Sequence, residues 1–164
     1  MSNKSITISA SASGFQVAAA WLEGYAISLE KKAIEIVSRM LQEGETYAAN
    51  ALGHIDTGET LSTIMGYRQG NTGILMVGGN AVWIEFGTGV AYNHELHPKA
   101  TELNMSPHGT YGYGFGANPD GWYYYDDNRQ AWRHTKGIPQ NRFFNNTAKM
   151  LREEYKRIAQ EVFR

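Results

Sequence analysis

The residue types best suited to chemistry gather in the middle of this chain. His94-Glu95-Leu96-His97 sets two imidazoles and a carboxylate in four consecutive positions, and these are groups that zinc accepts as ligands. The metalloprotease pattern, however, needs its histidines four apart on a helix, with the glutamate beside the first. Here the spacing is three and Pro98 follows at once, so the pair is expected to be loop histidines. Gly112, Gly114 and Gly116 do not make a dinucleotide fingerprint, because no strand leads in, no helix follows, and the third glycine comes one residue early. There is no P-loop and no Gly-x-Ser-x-Gly elbow. Asp126-Asp127 and Glu153-Glu154 are adjacent pairs whose side chains diverge, as expected of a turn tip and a solvated helix face. Neither a cofactor, a resident metal nor a catalytic group is expected.

The aromatic residues are more informative. Tyr111, Tyr113 and Phe115 alternate with glycine, and Trp122-Tyr123-Tyr124-Tyr125 with Trp132 read as a hairpin around the polar tip Asp126-Asp127-Asn128. Three readings stand open for this cluster: rings that stack on sugars, amphipathic anchors at a protein interface, or a hairpin packed on its own domain.

These residues need a scaffold, and the apolar periodicity supplies one. Leu22, Ala26, Leu29, Ala33, Ile36 and Met40 recur at steps of four and three, which predicts a long amphipathic helix stopping near Gly53. Gly24 and Gly44 each cost ~1 kcal/mol against alanine in a helix interior. Before it, Ile6 to Ala10 alternates as a short strand does, and Ser11 to Gly14 is a small-residue break. Asp56-Thr57-Gly58 is a helix-to-strand turn, with a side chain that bonds its own backbone and a glycine that tolerates positive φ. Strands are expected over 61–68, 74–77 and 81–86, with turns at 69–73 and at Gly78-Gly79-Asn80. A second amphipathic helix follows Pro139, with Phe144, Ala148, Leu151, Tyr155, Ile158 and Val162 on one face. Its basic residues exceed its acidic ones by three, which ordinary solvation accounts for.

The fold class expected is α+β in one domain spanning 1–164: a long N-terminal helix and a C-terminal helix packed on an antiparallel β-sheet. Residues 90–137 form a long aromatic and glycine-rich insertion ending in one more sheet strand. Loops of that length are usually functional or disordered.

Bulk properties exclude several classes. Of 164 residues, 42% are hydrophobic, and the formal net charge is -1, which gives no strong pull toward nucleic acid or an anionic membrane. No apolar run approaches the ~20 residues that cross a bilayer. The absence of cysteine removes disulfides and thiolate chemistry. The N-terminus lacks the continuous apolar stretch of a secretory signal, and a soluble intracellular product is expected.

Three signatures in order carry a resemblance. Asp56-Thr57-Gly58 with Leu61, then Glu85-Phe86-Gly87-Thr88, then Pro139 with Phe143-Phe144 resemble the tail-completion, or head–tail joining, minor proteins of long-tailed bacteriophages and prophages. His54 stands where that family's pattern has proline, Leu61 arrives one residue late, and three residues separate Pro139 from Phe143. The resemblance implies a structural virion protein of the phage neck, made in the bacterial host cytoplasm and acting without catalysis. Its partners would be further copies of itself, in a ring of six-fold or twelve-fold symmetry that the free monomer need not form. They would also include the head-closure or connector protein and the tail tube or tail terminator. It implies no membrane and no specific nucleic acid. Nothing is carried over onto residues 90–137, so Tyr111, Tyr113, Phe115, Trp122 to Tyr125 and Trp132 are the assembly contacts expected from their aromatic character. The alternatives are a carbohydrate-binding module on Trp122–Tyr125 and Trp132, and a metal-dependent hydrolase using His94, His97 or His134. In this scaffold Glu85 would be a buried carboxylate in need of donors, from backbone N–H groups or from Arg68 or Arg142.

Overall fold

The computed structural model describes residues 7, 9–53, 58–88, 97–104 and 121–164. The order is α1 (Ala12–Leu52), a turn of 3-10 helix (Leu61–Thr63), β1 (Met65–Gln69), β2 (Thr72–Met76), α2 (Ala81–Phe86), β3 (Trp122–Asp126), β4 (Ala131–Thr135) and α3 (Phe143–Val162). It is an α+β chain of three helices and two small antiparallel sheets. Asp56, Thr57, Gly89, His94, Tyr111, Tyr113, Phe115 and, from the expected strand 6–10, Ile6 and Ile8 lie outside the described residues.

The long helix begins ten residues before its regular apolar spacing does. Ser11 caps it, its hydroxyl accepting the Gly14 N–H at 3.1 Å, so the small-residue break is the helix start. At 41 residues and 1.5 Å per residue, α1 is about 61 Å long. Gly44 sits inside it for a packing reason. A Cβ there would lie 3.2 Å from Leu151 and 3.3 Å from Leu75, so its absence lets α3 and β2 approach.

α3 runs antiparallel to α1. Phe143 shares a core with Ala48 and Leu52, Arg157 reaches Glu43 at 2.7 Å, Arg39 reaches Glu161 at 3.4 Å, and Lys32 lies 4.7 Å over the Phe163 ring. Arg157 is also held by Glu154 and Glu161. These bonds, from Glu154 and then Glu43 and Glu161, keep its guanidinium charged far above the ordinary range. Of the α3 cations, Arg157 is thus paired with three carboxylates.

Four sequence expectations change. Residues 61–63 form a helical turn before the strand, because Ser62 and Thr63 hydroxyls bond the carbonyls of Glu59 and Thr60 and draw the backbone inward. Residues 81–86 form the short helix α2 and not a third strand. The β-branched and aromatic composition favours strand, but Ala81, Ile84 and Glu85 are buried at helical spacing. The sheet is therefore two separate hairpins, and β4 pairs with β3, not with the first hairpin. In α3 the buried face is Phe143, Thr147, Ile158 and Val162. Phe143, not Phe144, enters the core at the start of the helix, while Ile158 and Val162 of the expected stripe are buried at its end. The hairpin over 122–135 does form, in the register Tyr123 opposite His134 and Tyr125 opposite Trp132.

Candidate functional site

The second and third signatures make one junction. Asn141 N–H donates to the Ile84 carbonyl at 2.9 Å, Arg142 N–H to the Glu85 carbonyl at 3.2 Å, and Thr88 N–H to the Ile138 carbonyl at 2.9 Å. Ile138 N–H returns to Thr88 Oγ1 at 3.1 Å. Gly87, at φ 75° and ψ 169°, adopts the left-handed backbone that lets the chain turn out of α2 toward this contact.

Glu85 is the centre of that junction. It is 7% exposed. Its Oε2 accepts the Phe144 N–H at 2.7 Å, and its Oε1 accepts the Asn145 N–H at 3.1 Å. These are orphan donors in the first turn of α3, and Arg142, the residue before that turn, makes no side-chain cap of its own. A carboxylate from a distant helix does the capping, favoured also by the positive end of the helix dipole. His97 completes the set, with Nε2 2.8 Å from Glu85 Oε1. Lys99 N–H donates to His97 Nδ1 at 3.1 Å. Nδ1 is therefore the acceptor, and Nε2 carries the proton that it donates to Glu85. The ring lies against Phe86, with centroids 4.3 Å apart. Of the donors expected for Glu85, backbone N–H groups supply two, and the third comes from a histidine where an arginine was the alternative. Arg68 points elsewhere, to the Gly70 carbonyl; the Arg142 N–H goes to the Glu85 main-chain carbonyl.

Both ring nitrogens of His97 are thus engaged within the chain. Among the described residues no group of three or more His, Asp or Glu could hold a metal. His134 is exposed and stacks edge-on to Tyr123. The sequence offered no signal for the Glu85–His97 pair beyond Glu85 itself, because the two residues lie on separate elements.

The first signature meets the same core from the other side. Leu61, Ile64 and Ile138 pack against Ala48, Leu52, Ala81, Ile84 and Phe143. Buried Thr60 accepts the Asn80 N–H at 3.3 Å, tying the turn after Gly58 to the start of α2.

Beside the junction lies an apolar cavity of about 470 Å³. Met76, Val82, Phe86, Leu103 and Phe144 form its walls, and Lys99, Glu102 and Arg152 lie among its polar residues. Lys99 is bonded to Glu102.

Two further surfaces are open. On one face of the β3–β4 hairpin, Tyr123, His134, Tyr125 and Trp132 stand together, with Trp132 71% and Tyr123 66% exposed. At its tip, Asp126 accepts the N–H groups of Asn128 and Arg129. Burial pushes its carboxyl up, but these bonds and the Arg129 charge outweigh it and hold the group below the usual range. The other surface is the first half of α1. Every residue from 19 to 31 is exposed, including Trp21, Leu22, Tyr25, Ile27 and Leu29. Trp21 and Tyr25 stack on each other at 5.5 Å.

No protein-family model, curated protein or solved structure matches the chain. No helix is long and apolar enough to cross a membrane among the described residues.

Proposed function

We propose that this chain is a structural assembly subunit of the neck of a long-tailed phage or prophage. In the virion it sits between head connector and tail tube as one copy in a ring, and its work is binding, not catalysis. The observation that carries the assembly reading is the first half of α1. Apart from one polar stripe of Gln16, Glu23 and Glu30, its surface carries large apolar side chains that belong against other protein, yet here they stand in solvent. The phage assignment rests on the three signatures. Their residues support it by acting as a scaffold: Leu61, Phe143 and Ile138 share a core, and Glu85 and Thr88 join α2 to the start of α3.

In this reading, residues 90–137 are a long aromatic and glycine-rich insertion, closed at its base by the Thr88–Ile138 hydrogen bonds, and its hairpin is a contact for a neighbouring neck protein. The outward rings of that hairpin favour interface use over packing on the chain's own body. They also favour a second reading, a carbohydrate-binding module, which saturable quenching of tryptophan fluorescence by glycans would support.

The test of the neck reading is genetic. Removing the gene from a phage or prophage that carries it is expected to leave filled heads and finished tails unjoined in electron micrographs. A version lacking residues 122–135 should fold and fail to restore joining. Normal virions without the protein would overturn the reading.

A further inference from the structure

The half of α1 that is exposed apart from Gly14 and Ala18 and the apolar cavity lie at opposite ends of one helical pair. α3 ends opposite Lys32, where that side chain covers Phe163, so residues 12–31 run about 30 Å past it at 1.5 Å per residue. The cavity sits at the other end, against Phe144 at the start of α3. Because α1 is one continuous helix, the chain cannot lay its own arm in its own cavity. We infer that the arm of one copy docks in the cavity of the next, so that the subunits join head to tail.

The chemistry of the two surfaces matches. From 12 to 29 the arm has a single charged residue, Glu23. Leu22, Tyr25 and Leu29 follow one another at three and four residues, the anchor spacing of a helix laid in a groove. The cavity walls are apolar, and its size falls within the ~300–1,000 Å³ of pockets that bury a ligand. At its polar margin Lys99 is paired with Glu102, while the exposed cation of Arg152 suits the sign of Glu23. The area suits a weak, concentration-dependent contact. At ~150–250 Å² for each aromatic side chain, the exposed parts of Phe15, Leu22, Tyr25 and Leu29, which share one face, come to roughly 400 Å², about half of the ~800 Å² that each partner gives to a standard interface. A contact between two different patches propagates until it closes, into a ring where the rotation allows. The inference rests on the assembly reading above and names the partner of its carrying surface.

Two variants test it, each altering exposed residues only. Leu22→Glu with Ile27→Glu spoils the arm, and Val82→Glu with Leu103→Glu spoils the cavity. The wild-type chain should show a weight-average mass that climbs with concentration above the monomer's 18.3 kDa in sedimentation equilibrium. Each variant alone should remain monomeric. Mixed in equal amounts they should form a dimer and nothing larger, because one sound arm and one sound cavity remain. A monomeric mixture overturns the inference, as does a wild-type chain that stays monomeric at its highest soluble concentration, or an arm variant that associates like wild type. If a glutamate variant loses helical circular dichroism, Leu22→Ala with Ile27→Ala, or Val82→Ala with Leu103→Ala, takes its place with the same expectation. Virions that assemble without the protein would overturn the neck reading and leave the arm–cavity contact standing.

Discussion

The junction around Glu85 and the arm of α1 use similar amounts of sequence in opposite ways. At the junction a single carboxylate receives three donors, and side chains from α2, α3 and the 97–104 segment face one another. Residues 19–31 are apolar for the most part and touch little of their own chain. The junction is scaffold, and the arm is an exposed apolar surface, the contact surface of the proposed reading. Buried polar groups must find partners within the chain, so a segment that meets this demand is specified by the fold itself. An apolar surface left open is specified by something outside it.

The largest effect should come from breaking the junction. Glu85→Ala leaves the Phe144, Asn145 and His97 N–H groups without their acceptor, at a cost of about 3–5 kcal/mol. That is a fall in Tm of roughly 10 °C for a chain of this size, measured by circular dichroism. A fall under about 2 °C would show that the capping bonds carry no weight, and the contrast with the arm would disappear. Glu85→Gln turns an amide NH2 toward one of the donors and should give a smaller fall in the same direction.

Thr88→Val removes the acceptor of the Ile138 N–H while keeping the shape. It should cost ~1 kcal/mol, or about 2–4 °C. No change would mean that Thr88 and Ile138 are held together by packing alone.

On the open surfaces stability should barely respond. Trp132→Ala and Leu22→Glu should each stay within about 0.5 kcal/mol of wild type, in denaturant titration, while binding to partners falls. A large loss of stability from either would mean that these residues belong to the folded body, and scaffold and contact surface would no longer be separate.

The smallest effect is local. The Asp126 carboxyl is held below its ordinary pKa, so the hairpin-tip bonds contribute stability that is present above the unfolded value of 3.8. That stability is lost as pH falls through the lower folded value. Trp132 fluorescence should report loosening of the hairpin under acid, and Asp126→Asn should flatten the response.

Part of the fold is legible in the residue order alone. The long helix ending at Gly53, the terminal helix and the Trp122–Thr135 hairpin all stand out, because helical and strand periods are written locally and turn residues punctuate them. The α2 segment does not. Ala81-Val82-Trp83-Ile84-Glu85-Phe86 is a short apolar run that suits a strand as well as a helix, and packing decides between them. Residues 97–104 give no sign that His97 turns inward to Glu85, since a pairing across separate elements leaves no trace in local spacing.

By itself the sequence determined the inventory: two amphipathic helices, turns where glycine and aspartate stand, no thiols, and a carboxylate in an apolar run that had to find donors. Only the tertiary structure decided which donors those were, that residues 81–86 coil, and that the strands form two hairpins instead of one sheet. It also decided which apolar residues were left outside. Burial is a property of the whole chain's packing, so the same spacing of leucine and tyrosine can mark a core or a surface awaiting a partner. Here the difference is set by where α3 stops, opposite Lys32.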